Sequence, residues 1–454
     1  LVIAAVGDVL LHTGLQKQGL ADPEGFVSLW SDAADLLAAA DVTYANLEGP
    51  VAPGVDRYGH DVKDPGARFD KVVYTSYPQF NYYHSLVDDL KRTGIDIVST
   101  ANNHALDRRS LGADRTIDEL HRAGLAFTGT RKQGDTKTPW YAVTRNAGFT
   151  LAWIACTFST NGIPDKYGQV LRCYRDADTL AANVRTLASR DDIDAVIVTP
   201  HWGAEYQATP QKKQRDLAHR LLDAGATAIL GSHPHVLQPY EKYRTVDGRE
   251  AFVIYSLGNF VSGQNHLPRR STMLLYLGLT RRPDGQVVVN GARYVPLNMG
   301  RTYPAGGVRY GVQVIDRHGG PGNSRALTVG MFGLWNLHRP WNDPVPNVSC
   351  DAAWQPPHAH DGWIGGSCAS SVACGGTTCE TGLPGGFCTT PCDGICPDEA
   401  GRPTTFCADL GVDDKGSCVL RCSTDLDCRE GYRCVETPRY GQSSVIVKTC
   451  RPAS

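Results

Sequence analysis

Cysteine is nearly absent from the first 349 residues of this chain: only Cys156 and Cys173 of its fifteen cysteines fall there. Long apolar runs are absent throughout, and no stretch approaches the roughly 20 consecutive apolar residues a membrane-spanning helix requires. Charge of one sign is not in excess either. Lysine plus arginine number 45 against 47 acidic residues, a net charge of −2 with the signs interspersed. Without a basic stripe, nucleic acid is a poor partner. The cysteine-rich end lacks any CxxC pair, and its histidines, His358 and His360, precede most of its cysteines, which argues against zinc knuckles.

What that end has instead is thirteen cysteines between Cys350 and Cys450, in stretches such as "GGTTCETGLPGGFCTTPCDGIC" and "CSTDLDCREGYRC". These are rich in glycine and poor in aliphatics, as in small folds stapled by disulfides for want of a large core. Six bridges can use the twelve cysteines from Cys368 to Cys450. Cys350 is then the odd one, free or tethering something else. Cys156 and Cys173 pair with each other across a loop, or one of them pairs with Cys350. Such a framework implies an oxidising compartment: secreted, periplasmic or at the cell surface, with the module available to a surface partner. The opening "LVIAAVGDVLLH" reads as a first buried strand rather than a signal peptide, its apolar run being short and broken by Asp8.

The first 300 residues have another rhythm. Short β-branched runs alternate with helical patterns: "LVIAAVG" then "SDAADLLAAADV", "IDIVST" then "SLGADRTIDELHRAG", "IDAVIVTP" then "QKKQRDLAHRLLDAG", then "ATAILG". This is the mark of a mainly parallel sheet covered by helices. "EAFVIYSLG", "TMLLYLGL" and "GQVVVNGARYVPL" follow without long helices between them and predict antiparallel strands joined by hairpins. The boundaries expected are an α/β domain over 1–325, an irregular linker over 326–349 and the cysteine-rich module over 350–454.

Six apolar runs each end in polar residues able to carry chemistry. Asp8 and His12 follow the first. Asn46 and Glu48 lie in "NLEGP", and Asn102, Asn103, His104 and Asp107 in "ANNHALD". His201 and Glu205 lie in "HWGAEY", His233 and His235 in "GSHPHVLQP", and Asn259 in "YSLGNF". Carboxyl ends of strands in an α/β sheet converge on one crevice, so these groups are expected to meet. Pro234 biases His233 toward an extended backbone, which would send both imidazoles to one side. Gly231 allows a tight turn before them.

Those six motifs, in that order, resemble the capsule-biosynthesis CapA family, the poly-γ-glutamate synthesis proteins, over about residues 1–300. That family is part of the calcineurin-like metallophosphoesterase superfamily. The resemblance implies a four-layer α/β/β/α sandwich and a metal site drawn from Asp8, His12, Asn46, Glu48, Asn103, His201, His233 and His235, with His104, Asp8 and Glu205 as catalytic candidates. Such a mixed nitrogen and oxygen set suits Mn, Fe, Zn or Ni, as one ion or two. Two features depart from the superfamily. His12 stands four residues after Asp8 rather than two, and the bridging aspartate of the second motif is missing, so a full two-metal site, or any metal, is not assured. The implied function is an exported hydrolase of poly-γ-glutamate or a related peptide or capsular polymer. The alternatives are a metal-independent acid/base enzyme such as a peptide epimerase, and a non-catalytic protein that binds capsule polymer. For an anionic substrate, Arg57 and Arg68 of the 53–80 loop, with Asn259, are the candidate contacts.

Overall fold

The computed structural model describes residues 1–304, 307–333, 336–338, 362–398, 404–412, 415–422, 425–429 and 431–453. They form two compact units, residues 1–324 with 338, and residues 325–337 with 362–453.

The first unit is built on two sheets. One contains β1 (Val2–Leu10), β2 (Val42–Leu47), β3 (Ile97–Ser99) and β4 (Ala126–Thr128), all parallel. The other runs through β5 (Tyr141–Asn146), β6 (Phe149–Thr157), β7 (Ala195–His201), β8 (Ala228–Leu230), β9 (Leu237–Arg244) and β10 (Glu250–Leu257), in the order β5-β6-β7-β8-β10-β9. The chain then returns to the first sheet with β11 (Asn259–Ser262), β12 (Ser271–Arg281), β13 (Val287–Thr302) and β14 (Arg309–Val314), giving the order β14-β13-β12-β1-β2-β3-β4 with β11 also on β1.

Every residue of β1 is buried because it is covered on both faces. Val2, Ala4 and Val6 meet leucines of the helices Thr13–Ala21, Ala34–Ala38, Ser85–Arg92 and Arg109–Ala123. On the other side, the Tyr44 ring of β2 stacks on Trp153 of β6, with centroids 5.9 Å apart. The helices Ala177–Ala188 and Lys212–Asp223 pack on β7, β8 and β10. This is the expected α/β/β/α layering.

The hairpin reading of the later strands holds for β12 with β13, and β10 forms its hairpin with the unforeseen β9 before it. "EAFVIYSL" pairs parallel with β8 and antiparallel with β9. β9, "LQPYEKYR", escaped the pattern because it is an edge strand with mostly half-buried, polar residues. The segment read as linker begins within a helix, Gly322–Phe332. Cys350, His358 and His360 lie outside the described residues.

Two glycines admit a close backbone neighbour. A Cβ on Gly7 would stand 1.9 Å from the Gly258 carbonyl oxygen, and one on Gly231 would stand 2.1 Å from that of Tyr255. At Gly231 the demand is therefore close backbone approach.

The second unit has a five-stranded and a two-stranded sheet among its described residues. Its disulfides are Cys368–Cys379, Cys374–Cys388, Cys392–Cys407, Cys396–Cys418, Cys422–Cys434 and Cys428–Cys450. The twelve cysteines fall into three successive sets of four, and in each the first joins the third and the second joins the fourth. This is a threefold repeat of one interlocked staple. In the first unit Cys156 pairs with Cys173. Fourteen of the fifteen cysteines are thus bridged, leaving Cys350. Thiol titration of the denatured, unreduced protein should find no more than one free thiol per chain; several would contradict this pairing.

Candidate active site and metal centre

The site lies where the strand ends of both sheets meet. Asp8 is at the last turn of β1, beside Asn46 on β2 and Asn259 on β11. His201 closes β7. His233 and His235 follow β8 on a non-extended segment: their φ angles are +98° and +57°. The expectation of an extended His233 is thereby corrected. Left-handed backbone at two non-glycine residues costs on the order of 1–3 kcal/mol each, and neighbours hold it in place. Trp202 N donates to Ser232 O at 3.0 Å, and Tyr206 N donates to Pro234 O at 2.7 Å. The tertiary frame, rather than strand geometry, aims the two rings.

Around His201 the polar groups crowd closely. Its Nε2 is 2.9 Å from Asn103 Oδ1, 3.1 Å from His233 Nδ1 and 3.5 Å from Glu48 Oε1. Its Nδ1 lies 3.0 Å from Ser232 Oγ and 3.2 Å from Asn46 Nδ2. Asn46 Nδ2 also donates to Asp8 Oδ1 at 2.8 Å. His235 Nδ1 faces two acceptors, Asp8 Oδ2 and Asn259 Oδ1, each at 3.1 Å. The Asn259 orientation is set by its amide, which donates to the backbone carbonyls of His235 and Arg269. The His235 proton therefore sits on Nδ1, which leaves the Nε2 lone pair free, 3.8 Å from Glu48 Oε1.

Glu48 is the centre of this arrangement. It is fully buried, and among the described residues neither carboxylate oxygen has a hydrogen-bond partner. Burial, followed by the charges of Asp8, Glu205 and Asp107, pushes its carboxyl well above the usual range. Burial, and then the neighbouring imidazoles, hold His201 and His233 well below theirs, so both keep lone pairs at neutral pH. Glu48 belongs to two sets of potential metal ligands, one with Asp8 and His201 and one with His233 and His235. Glu48, two residues after Asn46, is thus the carboxylate common to both sets. The unsatisfied oxygens of Glu48, the unpartnered Asn46 Oδ1 and the neutral imidazoles all fit a cation.

Beside this set, His104 Nδ1 donates to Asp107 Oδ2 at 2.8 Å, and Asp107 also accepts from Phe80 N at 2.6 Å. The Phe80 ring stands edge-on to His104, with centroids 4.8 Å apart. Nε2 of His104 is thereby left for chemistry, its ring orientation fixed from behind.

The model of the family described as bacterial capsule synthesis protein PGA_cap matches residues 2–264. The chain belongs to this family. It is 27% identical over 307 residues to the capsule biosynthesis protein CapA of Bacillus anthracis, covering 66% of this chain and 67% of that protein. It is also 27% identical to the PGA biosynthesis protein CapA of Bacillus subtilis strain 168, covering 66% and 72%. Among solved structures it is similar to the NAD nucleotidase of Haemophilus influenzae at 12% identity, covering 74% of this chain and 63% of that one with a TM-score of 0.40, a likeness too distant to support an inference.

Of the residues singled out in this family member's sequence, Asp8, Asn46, Glu48, Asn103, His201, His233 and His235 come together, with His104 alongside. His12 is not brought into either ligand set. It lies past the end of β1, before the first helix, with Nδ1 against Leu10 O and Gly263 N and its ring against Phe80. Glu205 is exposed beside Tyr206, outside the buried cluster. Asn259 is buried with its amide committed to backbone carbonyls, so it positions His235 rather than facing a substrate. Arg57 and Arg68 are exposed on their loop.

Sequence reasoning missed Ser232, Phe80, Phe158, Asn161 and Arg108. Asn161, in an Asn-Gly turn with φ +50°, accepts from Asn103 Nδ2 at 3.3 Å, and Phe158 packs on His233 at 4.3 Å between centroids. Both ride on the loop closed by Cys156–Cys173. The Asn-Gly pair signalled a turn, but not what the turn would face.

Two outcomes follow from this geometry. Asn259→Ala should weaken metal binding by about tenfold or more, since ligand-orienting partners commonly matter to that degree; an unchanged affinity by competition with a chelating dye would contradict its positioning role. Burial lowers His12 from 6.5 to about 4. Between those values the unfolded chain binds a proton that the folded chain does not, so stability is full above 6.5 and falls as pH drops toward 4. In metal-stripped protein, His12→Gln should make that acid loss shallower, as read by denaturant unfolding at pH 7 and pH 5; equal losses in both proteins would refute it.

Proposed function

We propose that this protein is a metal-assisted hydrolase of poly-γ-glutamate or a related peptide or capsular polymer, working outside the cytoplasm. The observation that carries the reading is Glu48, buried, without hydrogen-bond partners and common to two ligand sets. The relatives named for capsule and PGA biosynthesis supply the polymer. The seven disulfides support an oxidising compartment. Among the described residues no helix is long and apolar enough to cross a membrane.

Asp8, Glu48 and His201, and Glu48, His233 and His235, would hold one or two divalent ions of Mn, Fe, Zn or Ni. Bound there, such ions would polarise a scissile carbonyl and acidify water. Asn103 adds an amide oxygen to the same wall. His104, its Nδ1 proton fixed on Asp107, presents the Nε2 lone pair, which can take a proton from the attacking water and pass it to the departing amine nitrogen. The Phe80 and Phe158 rings keep bulk water from the imidazoles.

Protein purified without chelators should contain a transition metal by elemental analysis and should shorten poly-γ-glutamate, read by size-exclusion chromatography and new amino groups. Glu48→Gln and His235→Ala should each lower metal content and turnover together. Turnover that survives metal removal but still needs Asp8 and His235 would establish the metal-free acid/base reading. Binding without any shortening would establish an accessory, non-catalytic role.

A further inference from the structure

We infer that a cleft beside the site is a subsite for an acidic peptide chain, one that presents carboxylates at regular intervals. The cleft has a volume of about 390 Å³ and is formed mainly by the 56–79 loop, closed on one side by Thr13. Its wall is continuous with the site. Thr75, Ser76 and Gln79 line it, and the next residue, Phe80, packs on both His104 and His12. Ser76 Oγ also accepts from Thr13 N at 3.1 Å, tying the loop to the helix that follows His12.

The chemistry of the cleft is cationic. Arg57 and Lys71 line it, and Lys17 stands over the Phe69 ring at 5.9 Å. All three are exposed, and among the described residues none makes an ion pair. Elsewhere on this unit, exposed arginines such as Arg92, Arg122, Arg190 and Arg220 are matched to carboxylates. The acidic residue in the lining, Asp56, is already engaged: its carboxylate accepts from Tyr58 N and His60 N and meets His60 Nδ1 at 3.1 Å.

Behind the wall lies Arg108, fully buried. Its guanidinium donates to Val73 O, Asp107 O and Thr75 Oγ1 and leaves Nε without a partner. Burial lowers it only to about 10, so it remains a fixed positive charge at neutral pH. Tyr77, Tyr58 and Val72, exposed by 75%, 61% and 56%, are among the most exposed large apolar side chains of the described chain, and all three line this cleft. Cations interleaved with exposed rings suit an extended chain with an apolar stem and anionic tips.

This deepens the proposed function and rests on it for the identity of the polymer. The test separates the two. A short fluorescent γ-glutamyl oligomer and its neutral γ-glutaminyl counterpart are titrated with the full chain in excess chelator, where no turnover occurs, and followed by anisotropy. The acidic oligomer should bind at least about tenfold more tightly, and the advantage should shrink as salt is raised. The double variant Arg57→Gln, Lys71→Asn should lose about tenfold in affinity, two exposed ion pairs being removed. Asparagine is chosen at position 71 because that residue has φ +64°. Arg57→Gln alone, read with a thermal melt, guards against a folding failure of the pair. Equal binding of both oligomers, or unchanged affinity in a folded variant, would overturn the subsite. Cleft-dependent binding in a protein that never shortens the polymer would leave the subsite standing and remove the hydrolase.

Discussion

The Glu48 carboxyl is fully buried with no hydrogen-bond partner among the described residues, so its ionised form needs a cation beside it, and the surrounding structure is organised by that fact. A carboxylate removed from water is strongly unfavourable unless a cation or hydrogen bonds compensate it. Here the groups within reach are imidazoles, an aspartate and amide oxygens, which offer lone pairs more readily than protons. The same burial that raises Glu48 lowers His201 and His233. Protein and cation would thus complete one another, and folding of the strand ends and metal binding would be coupled.

Such a cluster must be held against its own repulsion, and the two-sheet frame does this. β1 and β11 lie side by side because Gly7 admits the Gly258 carbonyl, which brings Asp8 and Asn259 into register. From the second sheet come His201, at the end of β7, and His233 and His235 on their left-handed backbone. The Cys156–Cys173 bridge then closes the loop that sets Phe158 and Asn161 against the imidazoles. The cysteine-rich unit uses the same covalent means for a different reason. Its apolar clusters are small, with Phe387, Phe406, Val419 and Tyr432 in the largest, so three repeated staples take the place of a core.

The layered α/β fold, the disulfide-stapled end and the set of strand-end residues were all legible in the sequence. Alternating apolar runs and helical periods reflect burial, which each residue reports locally. The Cys156–Cys173 pairing was legible as one of three arrangements, the others joining either cysteine to Cys350. What was not legible depended on distances between segments remote in the chain. β9 was hidden by its edge position. His12 looked equivalent to the other strand-end histidines until the fold set its Nδ1 against Leu10 O and Gly263 N. Asn259 looked like a substrate contact, although its amide is consumed by carbonyls that only the folded chain brings near.

Sequence alone therefore determined most of the polar side chains that gather at the crevice, Asp8, Asn46, Glu48, Asn103, His201, His233 and His235, because polar residues ending buried strands have few other places to go. Only the tertiary structure decided their roles. Glu48, two residues beyond Asn46, became common to both ligand sets because the first sheet brings it, with Asp8, against the histidines that the second sheet supplies, and the lack of an aspartate in that motif gave no hint of it. His233 and His235 took a strained backbone because the contacts around Ser232, Pro234 and Tyr206 outweigh the extended preference that Pro234 imposes. Local preferences amount to a few kcal/mol at most, and where many packed contacts oppose one, the contacts prevail.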